Sequence, residues 1–161
     1  MFLQAVAQRN PRLLEWAAAA HRCGLIPPET YVLDLDALED NARIIAREAE
    51  RTGLQIWFMS KQLARNPAAI ARILAAGLHS AVCVDMPGAL ALHPQGVRIG
   101  HLGHLVQIPD LYLERALSMR PEAITVFSYE KAAAISRSAA ERGQSVNLLL
   151  RVVGPQDRFF P

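Results

Sequence analysis

Of the seventeen lysine and arginine residues in the chain, only Lys61 and Lys131 are lysines. The difference is chemical. A primary amine can lose its proton and condense with a carbonyl to a Schiff base, whereas a guanidinium stays protonated near neutrality and cannot. Lys61 directly follows Ile56-Trp57-Phe58-Met59-Ser60, so it stands at the carboxyl end of a short apolar run that reads as a strand. An amine rooted in a stiff apolar strand and shielded by its neighbours gives up its proton more readily than a surface lysine. From these residues alone, a solvated lysine in a strand-to-helix loop is the competing interpretation. Lys131, next to Glu130 on the polar side of a helical stretch, is expected to be solvated.

Other groups able to do chemistry fall at the ends of similar runs. Asp85 ends Ala81-Val82-Cys83-Val84, His104 follows the run that ends near His101, and Arg151 ends Leu148-Leu149-Leu150. His101 and His104 are three apart, but no third ligand of fitting spacing accompanies them, so no metal site is assigned. Cys23 and Cys83 likewise share no metal-ligand spacing and read as two isolated reduced thiols. Gly100-His101-Leu102-Gly103 is not a nucleotide-binding loop, since no phosphate-loop lysine follows it. The formal net charge of +2 is spread along the chain without aromatic interleaving, which leaves no footprint for nucleic acid. The apolar start, Met1 to Val6, stops at Gln8 and Arg9, and no run reaches the roughly 18 apolar residues of a membrane span. A cytoplasmic protein is the default reading.

The elements that must hold these groups follow a rhythm. An amphipathic helix starts after Pro11, with Leu13, Leu14, Ala17 and Ala18 on its apolar side. Cys23-Gly24 closes it, and Pro27-Pro28 separates it from the next apolar run. That run, Tyr31 to Leu35, reads as a short β-type segment. Asp36 is then a candidate N-cap for a helix to about Arg51, whose stripe is Ala37, Leu38, Asn41, Ile44, Ile45 and Glu48. Strands are expected at Gln55 to Met59, Ser80 to Val84, Val97 to about His101, Ala123 to Phe127 and Val146 to Val152. Between them lie helices at Pro67 to Ala76 closed by Gly77, Gly88 to Leu92, Asp110 to Met119, and Tyr129 to Arg142 closed by Gly143. Arg65 and Asn66 are placed to cap the helix that Pro67 begins. Strands without strict alternation, separated by helices, predict α/β architecture with a parallel sheet. Five such strands are three short of a closed (β/α)8 barrel of the TIM type. Carboxyl ends of parallel strands are where ligands and catalytic groups gather in these folds, which is where Lys61 falls.

Tyr31-Val32-Leu33-Asp34-Leu35-Asp36-Ala37-Leu38-Glu39-Asp40-Asn41, followed by Lys61 at the end of the next strand, resembles the opening of the alanine racemase N-terminal domain superfamily. Met59-Ser60-Lys61-Gln62 with Arg65-Asn66-Pro67, Gly103-His104-Leu105-Val106-Gln107-Ile108-Pro109, and Ile124-Thr125-Val126-Phe127 are similar to its YhfX-type branch. The resemblance covers nearly the whole chain, and the segment 103–109 is its most specific part.

The resemblance implies a fold-type III enzyme whose barrel holds pyridoxal 5'-phosphate (PLP) at the carboxyl ends of its strands. Lys61 would form the Schiff base, and a β-rich domain would come after the barrel; the run Tyr31 to Leu35 would pair with that domain. In this setting Asp85 would hydrogen-bond the lysine or the ring, or else cap a helix. His104 would contact the ring or exchange protons near neutral pH. Arg151 would face the cofactor's phenolic oxygen, or pair with a carboxylate such as Asp157, since an unpaired guanidinium ending an apolar run is costly. The implied activity is racemase-type α-proton chemistry on a small amino acid in a homodimer. A non-catalytic PLP-binding homeostasis protein is the alternative. Residues 1–28 read as a helical segment and 29–161 as a partial barrel domain. With Phe159-Phe160 at the terminus, the chain is expected to be an inactive piece of a longer protein, because the phosphate cradle and the opposing tyrosine acid/base normally lie beyond this point.

Overall fold

The computed structural model describes residues 2–157. Its centre is one parallel sheet of five strands in the order β1-β2-β3-β4-β5. They are β1 (Trp57–Phe58), β2 (Ser80–Cys83), β3 (Arg98–Leu102), β4 (Ala123–Val126) and β5 (Asn147–Leu150). Helices α4 (Pro67–Ala75), α5 (Met86–Leu92), α6 (Leu113–Ser118) and α7 (Tyr129–Glu141) connect successive strands. Consecutive parallel neighbours joined by helices make the sequential run of a (β/α)8 barrel. Among the described residues there are five strands and the ring is not closed.

One face of the sheet carries the core. Ala81, Cys83, Ile99, Leu102, Ile124 and Val126 point towards the helices and pack with Ile70, Leu92, Leu117 and Ile135. Each large apolar side chain fully buried there contributes about 1.5–3 kcal/mol. Helix boundaries follow local chemistry. Asn66 accepts from the N–H groups of Ala68 and Ala69 at 3.0 and 3.2 Å, with Pro67 in the first turn. Ser128 accepts from the Lys131 N–H at 3.2 Å to start α7.

Before the sheet lie α1 (Phe2–Arg9), α2 (Pro11–Arg22) and α3 (Leu35–Thr52). The expected helix after Pro11 is α2, capped by Asn10 and ended at Cys23; α1 has no counterpart in the sequence reading. Tyr31 to Leu35 is not a strand. Residues 31–34 have no regular structure and Leu35 already belongs to α3, because a strand needs a partner to hydrogen-bond and none lies beside this run among the described residues. The N-cap of α3 is Asp34, not Asp36. The Asp34 carboxylate accepts from the Ala37 N–H at 2.9 Å and from the Asn10 side chain at 2.5 Å, which also lowers its pKa. Asp36 instead lies in the first turn.

The stripe of α3 is also rotated from the expected one. Leu38, Ala42 and Ala46 pack on the core while Ile44 and Ile45 stay exposed. Small residues decide this, since a Cβ at Gly77 would already touch the Ala46 Cβ at 3.4 Å. The Arg72 guanidinium of α4 closes the contact by pairing with Glu39 of α3 at 2.5 Å. Among the described residues, no helix is long and apolar enough to cross a membrane.

Candidate functional site

Parallel strands put all their carboxyl ends on one rim, and four residues singled out in the sequence come just after four of those ends. Lys61 comes after β1, Asp85 after β2, His104 after β3 and Arg151 after β5. Direct contacts among these four are not seen in the described residues; each is engaged, or left open, on its own.

Lys61 opens a single 3-10 turn, Lys61–Leu63, that begins at Ser60. Ser60 is buried, and its carbonyl accepts from Leu63 N–H at 3.0 Å and from Arg65 N–H at 3.3 Å. The lysine side chain is exposed, not shielded as expected. Lys131, expected to be solvated, is the covered one: its amine pairs with Asp110 Oδ1 and its side chain is 11% exposed. A partner 21 residues away, in the turn before α6, is invisible to helical periodicity.

Asp85 caps α5. Its Oδ1 accepts from the Gly88 N–H at 2.8 Å and lies 3.9 Å from the Arg65 guanidinium. The capping alternative is thus realised, and α5 starts at Met86 rather than at Gly88. Arg151 sets its guanidinium 5.6 Å from the Phe127 ring centre, within cation–π range. Asp157 does not take it; that carboxylate accepts from the Gly154 N–H at 2.5 Å. The cost expected for this guanidinium is absent because Leu148, Leu149 and Leu150 are themselves exposed on the edge strand.

The concave face contains a cluster that sequence reasoning missed. The β2–β3 register slips between Ala81 and Val82: Ala81 pairs with Ile99, but Val82 pairs with His101. Gly100 is therefore an extra residue, and both Gly100 and His101 turn inward while Ile99 and Leu102 stay in the core. Trp57 of β1 lies across Gly100, where a Cβ would come within 2.4–2.6 Å of its indole atoms. Its Nε1 is buried without an acceptor. Next along the face, His101 Nε2 and the Thr125 hydroxyl of β4 are hydrogen-bonded at 2.6 Å, both buried. The His104 ring meets His101 edge-on, centres 5.4 Å apart. Burial first, and His104 second, push the His101 pKa below its ordinary value. The available signal was the sequence Ile99-Gly100-His101-Leu102, in which two core residues three apart enclose a glycine.

The description "Alanine racemase, N-terminal domain" matches residues 33–153, three-quarters of the chain. The chain belongs to this family. It is 33% identical to the uncharacterized protein YhfX of Escherichia coli (strain K12) over all 161 residues, and spans 42% of that protein's length. Among solved structures, D-threonine aldolase from Filomicrobium marinum superposes with a TM-score of 0.59 at 21% identity, over 77% of this chain and 34% of the aldolase. At that identity the likeness is one of fold: the five strands are a stretch of an alanine racemase-type barrel, with Lys61 on its carboxyl rim.

Proposed function

We propose that this chain is the lysine-bearing part of a PLP-dependent enzyme that acts on the α-proton of a small amino acid, in a homodimer of the complete protein. One observation carries the reading. In a chain of the alanine racemase N-terminal domain family, Lys61 follows β1 on the carboxyl rim, and of the two lysines it is the one whose amine has no ion-pair partner among the described residues. Lys131 does not compete, since Asp110 holds its amine.

Residues on the same rim carry groups that fit the cofactor. Aromatic His104 is exposed beside the rim, Arg151 offers guanidinium donors, and the orphaned Trp57 N–H lies below on the concave face. When bound, PLP supplies an aldehyde for an amine and a ring that delocalises negative charge from the substrate's α-carbon. Lys61 would hold it through Nζ and, once displaced by substrate, take the α-proton on the same nitrogen and return it. His104 would cover one face of the ring and Arg151 would donate to its phenolic oxygen. Asp85 contributes chiefly through α5, whose first turn it caps through Oδ1, and would reach the site only with Oδ2. Burial disfavours a charge on His101, which is bonded to Thr125, so its role would be to orient His104.

The test is exchange of the α-deuteron from labelled amino acids by the purified complete protein with PLP. Exchange that vanishes in Lys61→Ala is the expected result. Cofactor uptake without exchange from any amino acid would replace the enzyme by a PLP-binding protein, and absence of uptake would overturn both.

A further inference from the structure

The segment just after Lys61 has a backbone that its residue types do not favour. Ala64 and Arg65 both have positive φ, 47° and 58°, and neither is glycine. Left-handed conformations crowd the Cβ of L-residues and persist where surrounding contacts over-determine them. Two in a row, three and four residues after a rim lysine, need such contacts.

Those contacts converge on Arg65. Its N–H donates to the Ser60 carbonyl at 3.3 Å, closing the turn on the residue before Lys61. Its carbonyl accepts from Gln95 Nε2 at 3.5 Å. Its guanidinium reaches from the loop after β1 to the loop after β2, where Nη2 lies 3.9 Å from Asp85 Oδ1. It passes so close over Gly88 that a Cβ there would be 3.3 Å from Nη2 and 3.1 Å from the Asp85 carboxylate. Asn66 continues from the same strained pair into the cap of α4. Lys61 is thus bracketed by a buried Ser60 on one side and a clamped Arg65 on the other. Its root is fixed while its side chain stays open.

We infer that Arg65 is a positioning residue for Lys61: its bridge to Asp85 holds the turn containing the strained Ala64 and Arg65, from whose start the Lys61 side chain leaves. The inference rests on the assignment of Lys61 as the cofactor lysine. Without the bridge, the two left-handed residues keep only the backbone contacts to Ser60 and Gln95 and relax more readily. The amine then samples several directions, although the strands and helices remain.

Arg65→Ala and Asp85→Asn are the variants, the second keeping an N-cap side chain for α5 while removing the charge. Hydrogen exchange in the purified protein without cofactor is expected to speed up about tenfold at the amides of Leu63 and Arg65, with those of β2 to β4 unchanged. With PLP added, the dissociation constant is expected to rise about tenfold and the pH midpoint of the visible absorbance to move by about one unit, in both variants alike. Wild-type exchange and midpoint in Arg65→Ala would overturn the positioning role. Loss of protection throughout the sheet would overturn it too, by making the pair a general structural support. If Lys61→Ala binds PLP as tightly as the parent, the lysine assignment has failed; if it does not, while Arg65→Ala matches the parent, only the positioning role has failed.

Discussion

Gly100→Ala is the perturbation that most directly probes how the concave face is built. A Cβ on residue 100 would stand 2.4 Å from Cδ1, 2.5 Å from Nε1 and 2.6 Å from Cγ of Trp57. These are atoms of a rigid ring, not the end of a flexible side chain, so either the indole leaves or the two strands separate. Overpacking of this kind costs about 1–3 kcal/mol, and contacts more than 1 Å inside van der Waals distance place it near the top of that range. In a chain of this length, about 3 kcal/mol lowers the melting temperature by roughly 6–12 °C. Urea unfolding of the purified protein, followed by circular dichroism, reads the loss. Trp57→Ala supplies the control, because without the indole the extra methyl has room. Gly100→Ala in the Trp57→Ala background should cost under about 0.5 kcal/mol, giving a coupling of at least about 2.5 kcal/mol between the two sites. An equal cost in both backgrounds, or none in either, would refute the inward placement of Gly100 and with it the bulge that turns His101 inward.

The buried ring of His101 gives a pH dependence of definite sign. Its pKa lies below the ordinary 6.5, so between the two values the unfolded chain binds the proton that the folded chain refuses. Stability should be full above that ordinary value, fall as the pH drops towards the folded one, and level off below it. His101→Gln should flatten the slope of urea midpoints measured from about pH 8 to about pH 5; an unchanged slope would assign it to other groups. Thiol chemistry checks the core: burial pushes the Cys83 thiol up to about 11, whereas Cys23 is exposed. A thiol reagent near neutral pH should therefore label Cys23 alone in the native protein and Cys83 only after denaturation, and early labelling of Cys83 would contradict the packing of β2 against the helices.

The β/α rhythm was legible because each element carries its own punctuation. Pro67 opens a helix, Gly77 and Gly143 mark helix ends, and the apolar runs between them are as short as the strands of a parallel sheet. What escaped depends on partners distant in sequence. Tyr31 to Asp34 has strand-like composition, but hydrogen bonds from a neighbour, not composition, make a strand. Lys131 is covered because Asp110 meets it from another element, and Ile44 and Ile45 lose the inner side of α3 to Ala42 and Ala46 because backbones approach closely there. The rim was foreseeable for Lys61, since the end of an apolar run in a parallel sheet has only one place to go. The Trp57, His101 and Thr125 cluster was not, because a bulge changes which face a residue takes and shows in the sequence only as one glycine out of step.

The claim on which the functional reading depends is that Lys61 holds the cofactor, and reductive trapping tests it most directly. The purified protein would be incubated with PLP, reduced with borohydride, digested and mapped by mass spectrometry. The pyridoxyl group is expected on Lys61 alone, at stoichiometric yield and with saturation at low PLP concentration, and Lys131 should remain unmodified. Equal labelling of both lysines, or a Lys61 that stays unmodified while the protein binds PLP elsewhere, would contradict it.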